Sequence, residues 1–569
     1  MASEQADRWP QIREAAWQLL TDAARQFDSD PLPYAIANAT TKIAIFPELA
    51  WKHWHRVMAL GWIQCAAVAY LETSPDPESK PQLKELLAKD LYRRAETSAY
   101  AAHRANVPMA AALLAEMLTS LRLGERAMWR SIMALGSRST ADLVDLASSM
   151  DSRVLLAQVR AGLRAEQPSG EGAELNAWLE ESVRQEFAAS DEDRRGARVA
   201  MSLGFAAPLE AIRLSGRSLL YVGGGPDEGV AVLLDAAALS DPSRPIAGSI
   251  SLPGVDIKSV EREVAGLHRA ATDRRSRVGG RPLSEHVEQL LTWLGDQVWQ
   301  PILENWPELS QRPVTVIPLG EFAQLPLYTA TVAGRPACSV LDITIAPSAR
   351  SLVMASEYPV ATGRAFVAAD PSSGDDELPY VVNEAEAVAA VYDTKPVILH
   401  QPAASVQQDG RRHPSFGHPS DESAEQELLS GFRSSAVVHL ACHGILAPDA
   451  PLRSALSLGG NLTLETVLAQ DLKPGCTVVL SACDLAGIGT EQPGEQLGFP
   501  AVLLAGGART VVAALWPVAE SPRTTRLMRR FHQELQSTTP TRALGTAIGQ
   551  AVDSGTPASV WAPFTCFGA

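Results

Sequence analysis

The sequence predicts two regions of different class: an all-α helical array over residues 1–205, followed by an α/β domain over 206–569 with a mainly parallel sheet flanked by helices. Three observations carry this. Apolar residues recur at three- and four-residue steps through the first region, the spacing of one helix face. From Gly216 the texture changes to short valine- and leucine-rich runs separated by turns. Helical patterns then fall between those runs, and strand alternating with helix builds a parallel sheet.

In the first region, Ile12, Ala16, Leu19, Ala23 and Phe27 lie on one helical face. Comparable spacing runs through Trp51 to Leu71, Leu83 to Ala102, Met109 to Leu121 and Leu143 to Leu163. Breaks fall at Asp30-Pro-Leu-Pro33, Thr73-Ser-Pro-Asp-Pro77 and Gln167-Pro-Ser-Gly-Glu-Gly172, where proline and glycine stop a helix. The pattern is that of stacked antiparallel helices. No clean period of about 34 residues is present, so a tetratricopeptide array is expected only in degenerate form.

In the second region, Leu219–Val222 and Gly229–Leu234 read as a hairpin around Gly223-Gly-Gly-Pro-Asp227. The glycines invite comparison with a phosphate-binding loop. No Lys-Ser/Thr follows and no helix begins there, so a turn between strands is the better reading. A helix over Leu283–Trp299 leads to strands at Val314–Gly320, Leu341–Ala346 and Ala365–Ala369. Further strands are expected at the Val437 and Val478 runs and at Thr510–Leu515, and helices at Glu384–Val391, Ala424–Phe432, Gln496–Ala505 and Arg523–Leu535. Gln401–Ser423 carries three prolines, two glycines, His413 and His418, and reads as an exposed loop. It admits two readings, a gating loop or an ordinary surface insertion.

Bulk composition narrows the function. At 569 residues the chain exceeds a single core. A net charge of −16 opposes any interface built on phosphate neutralisation, so direct nucleic-acid binding is not expected. The N-terminal residues have no apolar signal-peptide core, and no apolar run approaches the ~18 residues of a membrane span. Six cysteines without paired spacing suit a reducing cytoplasm. No metal or other cofactor is expected: there is no C-x-x-C pair, and His439 and His443 on one strand stand roughly 13 Å apart.

Two strand ends carry the chemistry. Ala436-Val-Val-His-Leu-Ala-Cys-His-Gly444 and Thr477-Val-Val-Leu-Ser-Ala-Cys-Asp484 are apolar runs that stop at reactive side chains. In an open parallel sheet, the carboxyl ends of neighbouring strands converge on one crevice. His443 is the candidate general base and Cys483 the candidate nucleophile, its thiolate stabilised by the imidazolium. The backbone N–H groups of Gly444 and Cys483 are candidate oxyanion donors. Cys442 points to the opposite strand face, Cys476 begins a strand, and Cys65, Cys338 and Cys566 have no reactive-looking neighbours. His439 reads as structural, although its parity with His443 leaves a supporting role open. Trp516, before Pro517, is expected to form a rigid pocket wall. Asp484 and Glu495 admit two readings, an acidic substrate pocket or a solvated loop and a helix N-terminus.

The order of these elements resembles the CHAT family of caspase-related cysteine peptidases, often found beside tetratricopeptide repeats. The resemblance rests on Val314–Pro326, Ala346–Ser351, Leu378-Pro379 with Glu384 and Glu386, His439–Gly444, Leu480–Cys483, Leu504–Val511, Leu515–Val518 and Trp561–Phe564. It implies a caspase-like architecture for the α/β domain, with His443 and Cys483 as the catalytic pair. Departures include Cys442 and Leu485 where the family often has threonine, and Ala519 where it commonly has an acidic residue. The resemblance further implies a thiol protease of a prokaryotic antiviral-defence or cell-death system that cleaves a partner protein, such as a gasdermin-like pore former. The N-terminal helices would then receive an activating partner. The rival expectation is a catalytically silent caspase-like scaffold.

Overall fold

The computed structural model describes residues 94–104, 106–117, 119, 176–177, 180–181, 184, 207–241, 243–272, 281–371, 378–399, 422–445, 447, 453–468, 472–482, 498–518 and 521–569. The helical patterns expected at Ile12–Phe27, Trp51–Leu71 and Leu143–Leu163 lie outside these residues. So does the Gln401–Ser423 segment, except for its last two residues, which open a helix.

Thirteen strands form one sheet. In chain order they are β1 (Ser218–Gly223), β2 (Gly229–Leu234), β3 (Ala247–Leu252), β4 (Val314–Pro318), β5 (Ile343–Ile345), β6 (Ala365–Ala369) and β7 (Val397–Ile398). They continue with β8 (Val437–Ile445), β9 (Ala455–Ser457), β10 (Asn461–Thr463), β11 (Thr477–Ala482), β12 (Thr510–Ala514) and β13 (Phe564–Gly568). Across the sheet the order is β10-β9-β8-β11-β12-β13-β5-β4-β1-β2-β3, with β6 beside β8 and β7 outside β6. Helices flank it: α1 (Arg94–Arg104), α2 (Pro108–Met117), α3 (Ala207–Ser215), α4 (Ile257–Thr272), α5 (Arg281–Leu294) and α6 (Ala349–Ser356). The later ones are α7 (Val381–Ala389), α8 (Glu422–Ser434), α9 (Phe499–Ala505), α10 (Pro522–Leu535) and α11 (Pro540–Asp553).

The sheet is mixed rather than mainly parallel. Parallel pairing joins β1, β4 and β5, and separately β6, β8, β11 and β12. Hairpins add antiparallel strands at the edges, because a short turn such as Gly223–Glu228 returns the chain alongside itself. The last strand, β13, is antiparallel to β12 and parallel to β5. The two parallel sets therefore run in opposite directions.

Local chemistry sets the helix ends near the sheet. The Ser521 hydroxyl accepts from Thr524 N–H at 3.3 Å, with Pro522 in the first helical position of α10. Helix α9 stops at Gly506 and Gly507, whose φ of 104° suits glycine alone. Core side chains of β8, β11, β12 and β13 are almost wholly excluded from water. Each fully buried leucine or valine there contributes about 1.5–3 kcal/mol. Helices α1 and α2 pack on β1 to β3, where Ala99, Leu113 and Leu114 share one apolar cluster with Tyr221, Val230 and Val232.

Candidate functional site

Strand β8 delivers His443. Its interior, Val438 to Cys442, is buried, and His443, Gly444 and Ile445 emerge half-buried at the carboxyl end. Parallel pairing with β11 runs in register to Cys442 opposite Ala482. Cys483, Asp484 and Glu495, three of the residues singled out from sequence, lie outside the described residues. On its other side β8 pairs first with β6, up to Ala441 opposite Ala369, and then with β9, where His443 faces Ser457 across the antiparallel ladder.

Asp370 follows β6 immediately and is fully buried. Its N–H donates to the Ala441 carbonyl at 3.0 Å, and its Oδ2 accepts from Gly459 N–H at 2.7 Å. The carboxylate thereby holds the turn that returns the chain from β9 to β10. Sequence reasoning passed over it, although a carboxylate directly after the apolar run Ala365–Ala369 is the same strand-end signal that identified His443.

Trp516 follows β12 and is 1% exposed. Its ring belongs to the main apolar core, and its indole N–H meets no hydrogen-bond acceptor among the described residues. Cys338, Cys442, Cys476 and Cys566 are buried free thiols. Burial pushes the thiols of Cys476 and Cys566 up to about 12 and that of Cys338 upward as well. These three are neutral at physiological pH and poor nucleophiles.

Deeper in β8 the structure places a polar cluster that the sequence did not reveal. His439 is fully buried; its Nε2 lies 3.1 Å from Glu384 Oε1 on α7, and its Nδ1 lies 3.1 Å from His532 Nε2 on α10. His532 Nδ1 in turn lies 2.9 Å from the Tyr392 hydroxyl. Burial, then the neighbouring His439, hold the His532 pKa well below the ordinary histidine value, so its ring is neutral. A neutral His532 donates through one ring nitrogen and accepts through the other, so it links Tyr392 and His439 with one bond of each kind. The two imidazole rings meet edge to face, with centroids 4.9 Å apart.

Among the described residues, no group of three or more His, Cys, Asp or Glu side chains could hold a metal ion, and no helix is long and apolar enough to cross a membrane.

A helix-flanked mixed sheet whose strand ends gather His443, Asp370 and the Trp516 segment at one edge defines an α/β protein of caspase-like type. Residues 288–569 match the family model of the CHAT domain, so this part of the chain is a domain of that caspase-like family. The match begins within α5, whereas the sheet already begins at Ser218. No curated protein matches the chain.

Proposed function

We propose that the chain is a cysteine endopeptidase in which His443 and Cys483 form a catalytic dyad. The observation that carries the reading is the register of β8 on β11, which ends with Cys442 opposite Ala482. His443 and Cys483 are the next residues along each chain. With neighbouring strands ~4.8 Å apart and one ~3.8 Å step along each chain, covalent geometry alone keeps the two residues close. Continued by one step, the same register turns both side chains to one face.

Gly444 suits the oxyanion role on similar grounds. The Ala441 carbonyl faces β6, where it accepts from Asp370. Backbone groups alternate sides along a strand, so the Gly444 N–H faces away from β6, toward β11. In the reaction His443 takes the proton from the Cys483 thiol, and the thiolate attacks the peptide carbonyl carbon. N–H groups of Gly444 and Cys483 stabilise the tetrahedral oxyanion. The C–N bond then breaks, His443 protonates the leaving amine, and water hydrolyses the thioester. Asp484 and Glu495 would border the substrate pocket, the two acidic groups favouring a basic residue before the scissile bond, whereas Trp516, buried in the core, would support the pocket from behind.

The family setting suggests a partner protein as substrate, such as a gasdermin-like pore former in a prokaryotic defence system, with an activating partner read by the N-terminal helices. Free buried thiols suit action in a reducing cytoplasm. The test is labelling by a peptidyl acyloxymethyl ketone, read by mass spectrometry on the full-length protein. Selective labelling of Cys483, lost in His443→Ala, is expected. Reaction at Cys483 no faster than at Cys65 would sink the peptidase reading in favour of a silent scaffold.

A further inference from the structure

Three segments at the edge where β8 ends lead, each through one element, to a single buried point. Asp370 and Leu378 precede α7, which carries Glu384; His443 lies near the end of β8, which carries His439; Trp516 to Val518 precede α10, which carries His532. The polar contacts among Glu384, His439, His532 and Tyr392 span three separate elements and lie about 13 Å back along β8 from His443. We propose that these four residues are positioning residues for the peptidase cleft, fixing helices α7 and α10 against β8 and so setting where the cleft walls stand around the dyad.

Glu384 is 4% exposed and both imidazoles are fully buried, in a region otherwise made of valine, leucine and phenylalanine. Replacing a buried polar set by apolar residues of similar volume is often neutral or stabilising, so stability alone does not account for the cluster. Directional contacts supply what apolar packing does not. A helix on a sheet face can slide by a fraction of a residue at little cost, whereas a chain of short hydrogen bonds holds a single placement.

The backbone ladder between β8 and β11 already fixes His443 relative to the strand that leads into Cys483. The ladders stop at Asp370 after β6 and at Leu515 after β12, so Leu378, ahead of α7, and Trp516–Val518, ahead of α10, lie beyond them. The Glu384–His439 contact ties the first to β8, and the His532–His439 contact ties the second. Tyr392, on the turn after α7, closes the set by bonding to His532, so the two helices are also tied to each other.

The proposal rests on the peptidase reading, and its test separates the two. In full-length protein, His532→Leu removes the bridge, while His532→Gln keeps a donor toward His439 and an acceptor toward Tyr392. Two rates are measured at Cys483, one with a peptidyl acyloxymethyl ketone that fills the cleft and one with iodoacetamide that needs only the thiolate. Their ratio is expected to fall about tenfold in His532→Leu, since small misplacements of binding walls carry penalties of this size or more. In His532→Gln it should remain within about threefold of wild type. An equal ratio in all three proteins overturns the proposal and leaves the peptidase reading standing.

Amide exchange over residues 515–518 reads the wall without using the thiol. Faster exchange in His532→Leu than in His532→Gln is expected whether or not Cys483 reacts. Equal exchange in the two variants overturns the proposal even if Cys483 proves unreactive in wild type. Should His532→Leu not fold, Glu384→Met/His439→Leu/His532→Leu removes the three most deeply buried polar partners together and leaves only the half-buried Tyr392 hydroxyl. A folded triple variant with an unchanged rate ratio and unchanged exchange is equally fatal.

Discussion

The two parallel strand sets of this sheet use one device for opposite ends. In β1, β4 and β5 the carboxyl ends open at one edge; in β6, β8, β11 and β12, which run the other way, they open at the opposite edge. The first edge is closed by the chain itself. Glu96 of α1 is 4% exposed and presses on Gly320, whose φ of 54° and missing side chain make room for it. Glu116 of α2 is fully buried at the start of α6, where it accepts from the N–H groups of Ala349 at 2.8 Å and Arg350 at 3.0 Å and from the Tyr221 hydroxyl at 3.1 Å. Strand ends and a helix N-terminus attract anions, and here N-terminal carboxylates already fill the places. The second edge presents His443 half-buried instead. Converging strand ends supply a location; the residues put there decide between a sealed anchor and a reactive centre.

Activity should divide sharply between the edges. His443→Ala is expected to lower peptide cleavage by about a hundred- to ten-thousandfold, the usual worth of a general base. Glu96→Gln in a folded protein should leave the rate near wild type. Comparable losses in both, at equal folded fraction by circular dichroism, would end the division of labour. Stability should show the reverse order. Glu116→Ala strands the Arg350 guanidinium, itself 6% exposed, together with two helix N–H groups and a phenol. Urea unfolding should register a loss of about 3–5 kcal/mol, the cost of breaking a buried ion pair from one side. A loss under about 1 kcal/mol would mean that water reaches the site and that the seal is looser than the burial indicates. Gly320→Ala comes next, at about 1–3 kcal/mol by the same measurement, because alanine must hold a left-handed backbone while Glu96 moves aside.

What the sequence made legible follows the same lines. β1, β4, β8, β11 and β12 announce themselves as continuous apolar runs, which only a strand covered on both faces tolerates. β3, with the sequence AGSISL, and the three-residue strands β9 and β10 carry no such run and went unread. β13, with the sequence FTCFG, went unread too, and strand patterns carry no sign of which way a partner runs. His443 was visible because its meaning lies in its own strand. His439 was not: its partners sit 55 and 93 residues away, and the Tyr392–His532 contact spans 140. A lone acidic or histidine residue on an amphipathic helix looks solvated until the fold brings a partner. Glu116 illustrates this, with partners more than a hundred residues distant on β1 and α6.

The smallest expected effect probes the interior of the second set by pH. His532 cannot take up a proton in the folded state, where burial and His439 hold its pKa well below the ordinary value. In the unfolded chain it titrates near ~6.5. The sign follows directly. Below about pH 6.5 the unfolded state binds a proton that the folded state refuses, so stability falls as pH drops through that value and is fully present above it. At pH 5.5 the loss assigned to this one ring is about 1.4 kcal/mol relative to neutral pH. His103, on α1 at the edge of the first set, is also shifted downward by burial, yet Glu228 beside it opposes the shift. Its share should therefore be smaller. Urea titrations of wild type and His532→Gln at pH 7.5 and 5.5 isolate the term. The variant should lose about 1.4 kcal/mol less than wild type on acidification. Equal losses would mean that His532 accepts a proton in the fold, and the neutral ring bridging Tyr392 and His439 would then be wrong.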